Sequence, residues 1–337
     1  MNITNFISVG ENIHCTRIFK VGGTTCKQMP DGTFGIEYKT VQKETRILQV
    51  PESFTKTPEW ESGKVKHCAV AIWQAMNGDK KSGVDYLQQL AISQEKNGAT
   101  YLDLNVDEYS TDIEEKKHIM KWLVETVQNS VKIPVSIDSS NEAILEAGLS
   151  ATDKKRGRPM VNSVSLERKN AVEIAAKYNA VVIASAAGEK GLPETPEERV
   201  ANIDAIIDIL RRKNFALGDI HVDPLVFPIS VNPMNGKMFL DTISVVRKKY
   251  GKEMHIVAGL SNISFGMPNR KLINQVFTIL ALENGADGGI VDPSQINTKI
   301  LASFDKSSEA FTLARELLLG NDEYGMNFIT AAREGKI

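Results

Sequence analysis

Carboxylate and amide side chains recur in this sequence directly after short apolar segments that are rich in β-branched residues. The segments are LDLN at 102–105, DSSN at 138–141, NS at 162–163, DP at 223–224, SN at 261–262 and DP at 292–293. A single Asp or Asn in such a place is most often the N-cap of the next helix. Six segments in equivalent places exceed what capping needs, so we expect a rim of carboxylates and amides that binds a ligand.

The chemistry of this rim favours a flat, uncharged heterocycle. A carboxylate accepts two parallel N–H hydrogen bonds, and a carboxamide both donates and accepts one. A 2-amino-4-oxopyrimidine edge, as in guanine or a pterin, offers the matching groups. The rim is poor in basic residues, so a phosphate is not the expected ligand. It also lacks the histidine cluster of a catalytic zinc site.

Eight apolar segments alternate with longer segments in which apolar residues have helical spacing. The predicted strands are Ile7–Gly10, Thr100–Val106, Ile133–Asp138, Pro159–Ser163, Ala180–Ser185, Ile220–Asp223, His255–Gly259 and Gly288–Val291. This alternation predicts an α/β fold, a (β/α)8 TIM barrel whose active site lies at the carboxyl ends of the strands. An open doubly wound sheet is the alternative, but no Gly-rich phosphate loop follows the first strand.

Residues 15–83 interrupt the alternation with glycines, prolines and a β-like stretch over 35–50. We therefore expect a β-rich insertion after the first strand, with one helix over 64–76. The predicted domains are a barrel over 1–14 and 84–319, an inserted lobe over 15–83 and a C-terminal helical tail over 320–337. A loop after a barrel strand lies on the active face, so the lobe is expected to overhang the site. A lobe used only for oligomerisation is the alternative.

The bulk composition argues against several classes of protein. The chain has 337 residues, of which 42% are hydrophobic, and a formal net charge of -2, so nothing favours nucleic acid or an anionic membrane as partner. No apolar run is long enough for a transmembrane helix, and the first residues show no signal-peptide pattern. Three cysteines fit a reducing cytoplasm. Together with His14 and His67 they match no familiar zinc spacing, so we expect no metal site.

Several motifs carry a family resemblance. They are GEN at 10–12, LDLN at 102–105, SIDSSN at 136–141, NS at 162–163, VDPL at 222–225 and GLSNISF at 259–265, the last followed by PNR and LIN. In order and spacing, the chain resembles the pterin-binding methyltransferases: the methyltetrahydrofolate:corrinoid methyltransferases and the folate module of cobalamin-dependent methionine synthase. The resemblance implies methyl transfer between N5 of tetrahydrofolate and a corrinoid (cobalamin). It leaves the direction open.

The resemblance also implies roles for residues of the rim. Asp103, Asn141 and Asp223 would hold the amino-pyrimidine edge of the pterin, and Asn262 would lie beside N5, with Asp223 and Asn262 as the catalytic candidates. An amide suits the place beside N5, because it donates a hydrogen bond as charge develops and carries no charge that must be desolvated. The further candidates for folate binding are Glu11, Asn105, Asp138, Asn162, Ser163, Lys190, Ser261 and Arg270. For Lys190 a solvated turn, and for Arg270 a pairing with a neighbouring helix, are the alternatives.

The sequence contains no D-x-H-x-x-G cobalamin motif, so we expect the corrinoid on a separate protein. A homodimer is expected from the resemblance only. The chain departs from the family pattern at Asn12 and His14, at Phe265 and in residues 15–83. The alternative functions are a dihydropteroate synthase-like enzyme, which would need more basic groups for a pterin diphosphate, and a folate-binding partner of a corrinoid protein without turnover.

Overall fold

The computed structural model describes residues 5–337. Its strands are β1 (Ile7–His14), β2 (Ile18–Lys20), β3 (Cys26–Gln28), β4 (Phe34–Lys39), β5 (Thr45–Gln49), β6 (Lys64–Lys66), β7 (Tyr101–Asn105), β8 (Val135–Asp138), β9 (Met160–Val164), β10 (Val181–Ser185), β11 (Ile220–Asp223), β12 (His255–Ala258) and β13 (Gly288–Val291). Its helices are α1 (Pro58–Glu61), α2 (His67–Asn77), α3 (Lys80–Lys96), α4 (Ile113–Gln128), α5 (Glu142–Ser150), α6 (Asn170–Lys177), α7 (Pro196–Arg212), α8 (Asn235–Tyr250), α9 (Arg270–Glu283), α10 (Thr298–Ala302), α11 (Glu309–Leu318) and α12 (Met326–Arg333).

Eight strands form a closed barrel, which confirms the predicted (β/α)8 fold. Hydrogen-bonded neighbours follow the order β1, β13, β12, β11, β10, β9, β8, β7. The observed bounds of β11 and β13 are the predicted ones. The first strand was predicted too short: β1 continues past Gly10 to His14. The predicted strand over 133–138 was too long, since β8 begins at Val135.

The described residues divide into two compact units. The first unit comprises residues 5–9 and 160–337, and the second comprises residues 10–159. Each unit has parallel strand pairs of its own. In the first, β10 and β11 pair in a register that places Ser185 opposite Asp223. In the second, β7 and β8 pair with Asn105 opposite Asp138. These registers bring polar residues at the carboxyl ends of adjacent strands side by side.

The second unit contains the β-rich segment between β1 and β7. β2 pairs with β6, and β3, β4 and β5 form an antiparallel sheet; all five strands lie within residues 15–83. The single helix expected over 64–76 was placed too early, because residues 64–66 form β6 and α2 begins at His67. The predicted lobe boundary at 83 falls within α3. Tyr38 ties the sheet to that helix by donating a hydrogen bond of 2.6 Å to Asp85.

Helix α7 of the first unit is amphipathic, and its start is capped by its own sequence. Thr195 accepts a hydrogen bond from the amide of Glu198 and Pro196 opens α7, which is the usual chemistry of a helix start. The apolar face of α7 buries Ile203, Ile206, Ile207 and Leu210. Each fully buried side chain of this size contributes about 2 kcal/mol to folding. The tail over 320–337 contains α12, whose Phe328 is fully buried.

No helix within residues 5–337 combines the length and the apolar character needed to cross a bilayer.

Gly288 tests the close approach of β1 and β13. A Cβ atom at this position would lie 1.9 Å from the backbone carbonyl oxygen of Ile7, which cannot rotate away. Gly288→Ala should therefore lower the free energy of unfolding by about 1–3 kcal/mol, the usual cost of overpacking, measured by urea unfolding. Gly218→Ala is the matched control, because its Cβ would meet Glu253 at an ordinary 3.7 Å. Equal stability of the two variants would contradict the close approach.

Candidate active site

A histidine and two aspartates converge at the carboxyl ends of strands in the second unit. His14 ends β1, Asp103 lies in β7 and Asp138 ends β8. Their potential ligand atoms all lie within 4.8 Å of one another, and Nε2 of His14 is 3.0 Å from Oδ2 of Asp103. Asp103 is fully buried. The three side chains therefore form one electrostatic unit, in which the aspartates favour the protonated form of the imidazole.

Burial and the charges of the neighbouring groups shift the pKa values of His14 and Asp138. Burial alone would lower the pKa of His14, but the hydrogen bond to Asp103 and the charges of Asp103, Asp138 and Glu11 outweigh it and raise that pKa. Burial and the neighbouring charge of Asp103 raise the pKa of Asp138, against the opposing effects of His14 and Asn105. The contact between His14 and Asp103 favours an ion pair. The spacing of the three groups would also suit a divalent cation.

Asn105 connects the cluster to the loop after β7. Its amide nitrogen donates a hydrogen bond of 2.9 Å to Asp138, and its side-chain oxygen accepts one of 3.0 Å from the amide of Asp107. Asp107, which the sequence did not single out, accepts hydrogen bonds from the hydroxyls of Ser139 at 2.5 Å and Ser140 at 2.8 Å. The polar loops after β7 and β8 are thus linked to each other by side chains.

Two predicted ligand residues of the second unit have structural partners. Oδ1 of Asn141 accepts hydrogen bonds from the amides of Ala143 at 2.9 Å and Ile144 at 3.3 Å, so this residue is the N-cap of α5. Glu11 is buried and forms an ion pair with Arg17, whose Nε also donates to the Glu11 carbonyl at 3.2 Å. Both contacts position the surrounding backbone.

The cysteine and histidine pairs of the insertion form a packed interior. Cys15, Cys26 and Cys68 are all buried, and burial raises the pKa of Cys68 to about 12. His67 stacks on Phe19 at 4.2 Å between ring centres. Burial lowers the pKa of His67 to about 3, so it is neutral. These side chains pack as uncharged core groups.

In the first unit, Asp223 is held by backbone groups at the end of β11. Oδ1 of Asp223 accepts a hydrogen bond of 2.8 Å from the amide of Leu225. Burial raises the pKa of Asp223 to about 6, although hydrogen bonds from the backbone of Leu225 and Gly259 and the charge of Arg199 act in the opposite direction. A carboxyl group with this pKa is mostly ionised at pH 7 and can accept N–H groups of a ligand.

Asn262 lies in a 3-10 turn, Leu260–Ser264, that follows β12. The amide of Asn262 donates to the carbonyl of Gly259 at 3.2 Å. A Cβ atom at position 259 would lie only 3.0 Å from the Asn262 side-chain nitrogen, so a side chain there would press on the carboxamide of Asn262. Asn262 is half-buried, which leaves its side-chain carboxamide accessible to a ligand.

Arg270 braces the same turn. Its Nε donates to the Ser264 hydroxyl at 3.0 Å and its Nη2 to the carbonyl of Ser261 at 3.1 Å, while the guanidinium lies 4.3 Å from the ring centre of Phe265. Ser261 therefore contributes a backbone oxygen to this brace. The structure places Arg270 in contact with the loop that carries Asn262, in addition to any contact with a ligand.

The remaining predicted residues of the first unit differ in exposure and in their hydrogen-bond partners. Asn162 and Ser163 lie in β9, both half-buried, and Ser163 accepts hydrogen bonds from Arg168 through its hydroxyl, at 3.1 Å, and its carbonyl. Lys190 is exposed in the turn after β10 and lines a groove of about 760 Å³. Asp292, which follows β13, accepts from the amide of Ser294 at 3.0 Å and so closes a turn.

A ligand-binding (β/α)8 enzyme is the class that this fold and these side chains define. Residues 75–292 match the family described as pterin binding enzyme, and the chain belongs to the pterin-binding enzymes.

Two curated relatives and one solved structure illustrate the likeness. A methylcorrinoid:tetrahydrofolate methyltransferase of Eubacterium limosum is 33% identical over 257 residues, which are 75% of this chain and 89% of that protein. A methionine synthase of Mycobacterium tuberculosis is 32% identical over 228 residues, 63% of this chain but 19% of that protein. A dihydropteroate synthase structure from Stenotrophomonas maltophilia has a TM-score of 0.52 at 17% identity, over 66% of this chain and 85% of that one, and shows likeness of fold alone.

The His14–Asp103 pair predicts a stability that depends on pH. Because the pKa of His14 is raised on folding, its stabilising contribution is complete below the unfolded value of 6.5 and is lost as the pH rises through the folded value. His14→Asn should lower the free energy of unfolding by about 2 kcal/mol near pH 6 and by less near pH 9, measured by urea unfolding. His118→Asn, at an exposed histidine of α4, is the control. A loss of the same size at both pH values would refute the ion pair.

Proposed function

We propose that this enzyme is a methyltransferase that moves a methyl group between N5 of tetrahydrofolate and a corrinoid carried on a separate protein. The observation that carries the proposal is the match to a methylcorrinoid:tetrahydrofolate methyltransferase, which is 33% identical over 89% of its own length. That name favours transfer from the methylcorrinoid to tetrahydrofolate. The reverse direction uses the same side chains and is decided by assay.

The carboxylates and amides at the strand ends are the proposed pterin ligands. Asp103, Asn141 and Asp223 hold the amino-pyrimidine edge, with Asp138 and Asn162 as further partners for its N–H and C=O groups. Ionised carboxylates accept the two parallel N–H groups of such an edge, and amides serve its mixed donors and acceptors. For Asn141 the free part is the amide nitrogen, because its oxygen caps α5. Asn105, Ser163 and Ser261 support these ligands, and Glu11, Lys190 and Arg270 are candidates for the remaining folate contacts.

Asn262 is the proposed group beside N5. Toward the corrinoid, cob(I)alamin attacks the methyl carbon with its electron pair, the C–N bond breaks, and N5 keeps the bonding pair and gains a proton. In the other direction the N5 lone pair attacks the methyl carbon, the pair returns to the corrinoid, and N5 loses its proton. An amide that donates to N5 lowers the cost of the charge that develops there, and it needs no buried charge of its own.

The partner is proposed to dock on the loops after β11 and β12 of the first unit. Val231 and Phe265 are 79% and 46% exposed. The Ser230 hydroxyl donates to the Phe265 carbonyl at 2.6 Å, which joins the two loops. Phe265 closes the 3-10 turn that contains Asn262, so a methyl carrier that reaches N5 has to approach this apolar surface. The lobe over 15–83 is proposed as a separate contact for the corrinoid protein, and a cytoplasmic homodimer is the proposed setting.

Dihydropteroate synthesis is the alternative enzyme function. It would require cationic side chains for a diphosphate leaving group, and the strand ends described above carry carboxylates and amides. A folate-binding protein without turnover is the alternative from another class. Formation of dihydropteroate from a pterin diphosphate and p-aminobenzoate would favour the first. Tight folate binding without methyl transfer to or from any corrinoid would favour the second.

Asn262→Ala tests the proposed reaction. Purified protein, methyltetrahydrofolate and cob(I)alamin are mixed without oxygen, and the loss of cob(I)alamin absorbance is followed; methylcobalamin and tetrahydrofolate give the reverse reaction. Removing the donor to N5 should lower the rate constant of methyl transfer about 100-fold and change folate affinity little. Asn321→Ala, at an exposed asparagine, is the matched control. An Asn262→Ala enzyme as fast as wild type would exclude the role of this amide.

Val231→Glu tests the docking surface. A charge placed in an apolar contact should slow transfer with the corrinoid protein about tenfold, and transfer with free cobalamin should stay at the wild-type rate. Val245→Glu is the matched control, since Val245 is also exposed, at 51%, but lies on α8. If both variants keep wild-type rates with the corrinoid protein, the partner docks elsewhere.

A further inference from the structure

A guanidinium group is buried in the first unit without a carboxylate partner at hydrogen-bond distance. Arg199 lies in the first turn of α7 and has no exposed surface. Its Nη1 donates a hydrogen bond of 3.1 Å to the carbonyl of Leu225, and its guanidinium lies 4.9 Å from the ring centre of Phe227. Within residues 5–337, its Nε and Nη2 have no hydrogen-bond partner. Burying a charge is costly, so a position that retains one needs a physical reason.

The residue that Arg199 binds has an unusual backbone conformation. Leu225 has a φ of 67°, in the left-handed region that a side chain with a Cβ atom disfavours. In this conformation its amide donates to Oδ1 of Asp223 at 2.8 Å, while its carbonyl accepts from Arg199. The two hydrogen bonds thus hold the backbone amide and the backbone carbonyl of the same residue. Arg199 therefore stabilises the backbone conformation on which the anchoring of Asp223 depends.

Electrostatics act in the same direction as this geometry. The charge of Arg199 favours the ionised form of Asp223 and opposes the burial that raises the pKa of this carboxyl group to about 6. Among the described residues, Arg199 is the charged side chain that acts on Asp223; the other groups that favour its ionised form are the backbone amides of Leu225 and Gly259. One guanidinium thus supports both the position and the charge of the carboxylate.

We infer that Arg199 is a positioning residue, which holds Leu225 in its left-handed conformation and thereby fixes the Asp223 carboxylate for an N–H-rich ligand edge. The inference rests on the proposed function, in which that edge belongs to a pterin. It adds to the proposed pterin site a helix residue, Arg199, which supports ligand binding without contacting the ligand. The effect of Arg199 is expected in binding, because it acts on a group that holds the ring rather than on N5.

Three variants separate the charge of Arg199 from its hydrogen bond. Arg199→Met removes both, and Arg199→Lys keeps the charge but loses the planar fork. Arg212→Met, at an exposed arginine of the same helix, is the matched control. Affinity for methyltetrahydrofolate is measured by calorimetry from pH 5 to pH 8, beside the melting temperature and the methyl-transfer rate at saturating folate.

The expected pattern is specific. Arg199→Met should weaken binding at pH 7 about tenfold, with a smaller change in the saturated rate, and should move the pH midpoint of binding upward, because Asp223 then ionises at higher pH. Arg199→Lys should recover the midpoint and part of the affinity. A residue that only stabilised the fold would lower the melting temperature without moving the pH midpoint, and that result would overturn the inference.

A change at Leu225 provides a test that does not depend on the folding of Arg199→Met. Glycine adopts a positive φ without a Cβ penalty, so in Leu225→Gly the conformation that anchors Asp223 should depend less on Arg199. Combined with Arg199→Lys, or with Arg199→Met if that variant folds, this substitution should recover affinity. Folded Arg199 variants with wild-type affinity and midpoint would overturn the inference alone. A wild-type protein that binds no methyltetrahydrofolate would overturn the proposed function first, and the inference with it.

Discussion

Removing a carboxylate from water is the constraint on which the candidate pterin ligands of each unit depend. Asp103 is fully buried, and Asp138 and Asp223 end their strands in half-buried places. Burial disfavours the charged form of such groups, and a neutral carboxyl group loses the ability to accept two N–H bonds at once. A pterin edge needs that ability. Whether a strand-end carboxylate can bind a pterin edge therefore depends on the neighbouring groups that keep it ionised.

The two units meet this constraint in different ways. In the second unit, the imidazolium of His14 and the amide of Asn105 lie beside Asp103 and Asp138, and the pKa of His14 is shifted upward from 6.5. This support depends on a titratable side chain, whose protonated form is favoured by the same carboxylates. In the first unit, backbone amides and a guanidinium surround Asp223. Neither the backbone amides nor the guanidinium titrate near neutrality, so the groups around Asp223 keep their charges when the pH changes.

The strand ends could be predicted from the sequence, whereas the groups that support them could not. The alternation of apolar segments predicted the barrel. Asp103 lies in β7, Asp138 and Asp223 end β8 and β11, and Asn262 lies in the turn after β12. Helix capping and ligand binding give Asn141 the same sequence signature, and only the structure shows that its oxygen caps α5. Arg199 resembles any polar residue of an amphipathic helix. Its burial follows from packing against Leu225, a residue whose left-handed φ has no sequence signal because it is not glycine. The pairing of His14 with Asp103 was hidden because an insertion separates β1 from β7, and local patterns do not report contacts across such a distance.

The insertion and the atypical first strand are physically connected rather than separate departures from the family pattern. The backbone amide of Asn12 donates to Oε1 of Gln94 in α3 at 3.1 Å, and the thiol of Cys68 in α2 donates to the Asn12 carbonyl at 3.4 Å. Cys68 of the insertion and Gln94 of the helix after it thus bind both backbone groups of one residue in β1. Side chains alternate along a strand, so a slip by one residue would turn His14 away from Asp103. By fixing this register, α2 and α3 place the imidazolium where Asp103 needs a counter-charge. These two helices therefore contribute to the charge balance of the site whether or not any residue of the lobe contacts a ligand.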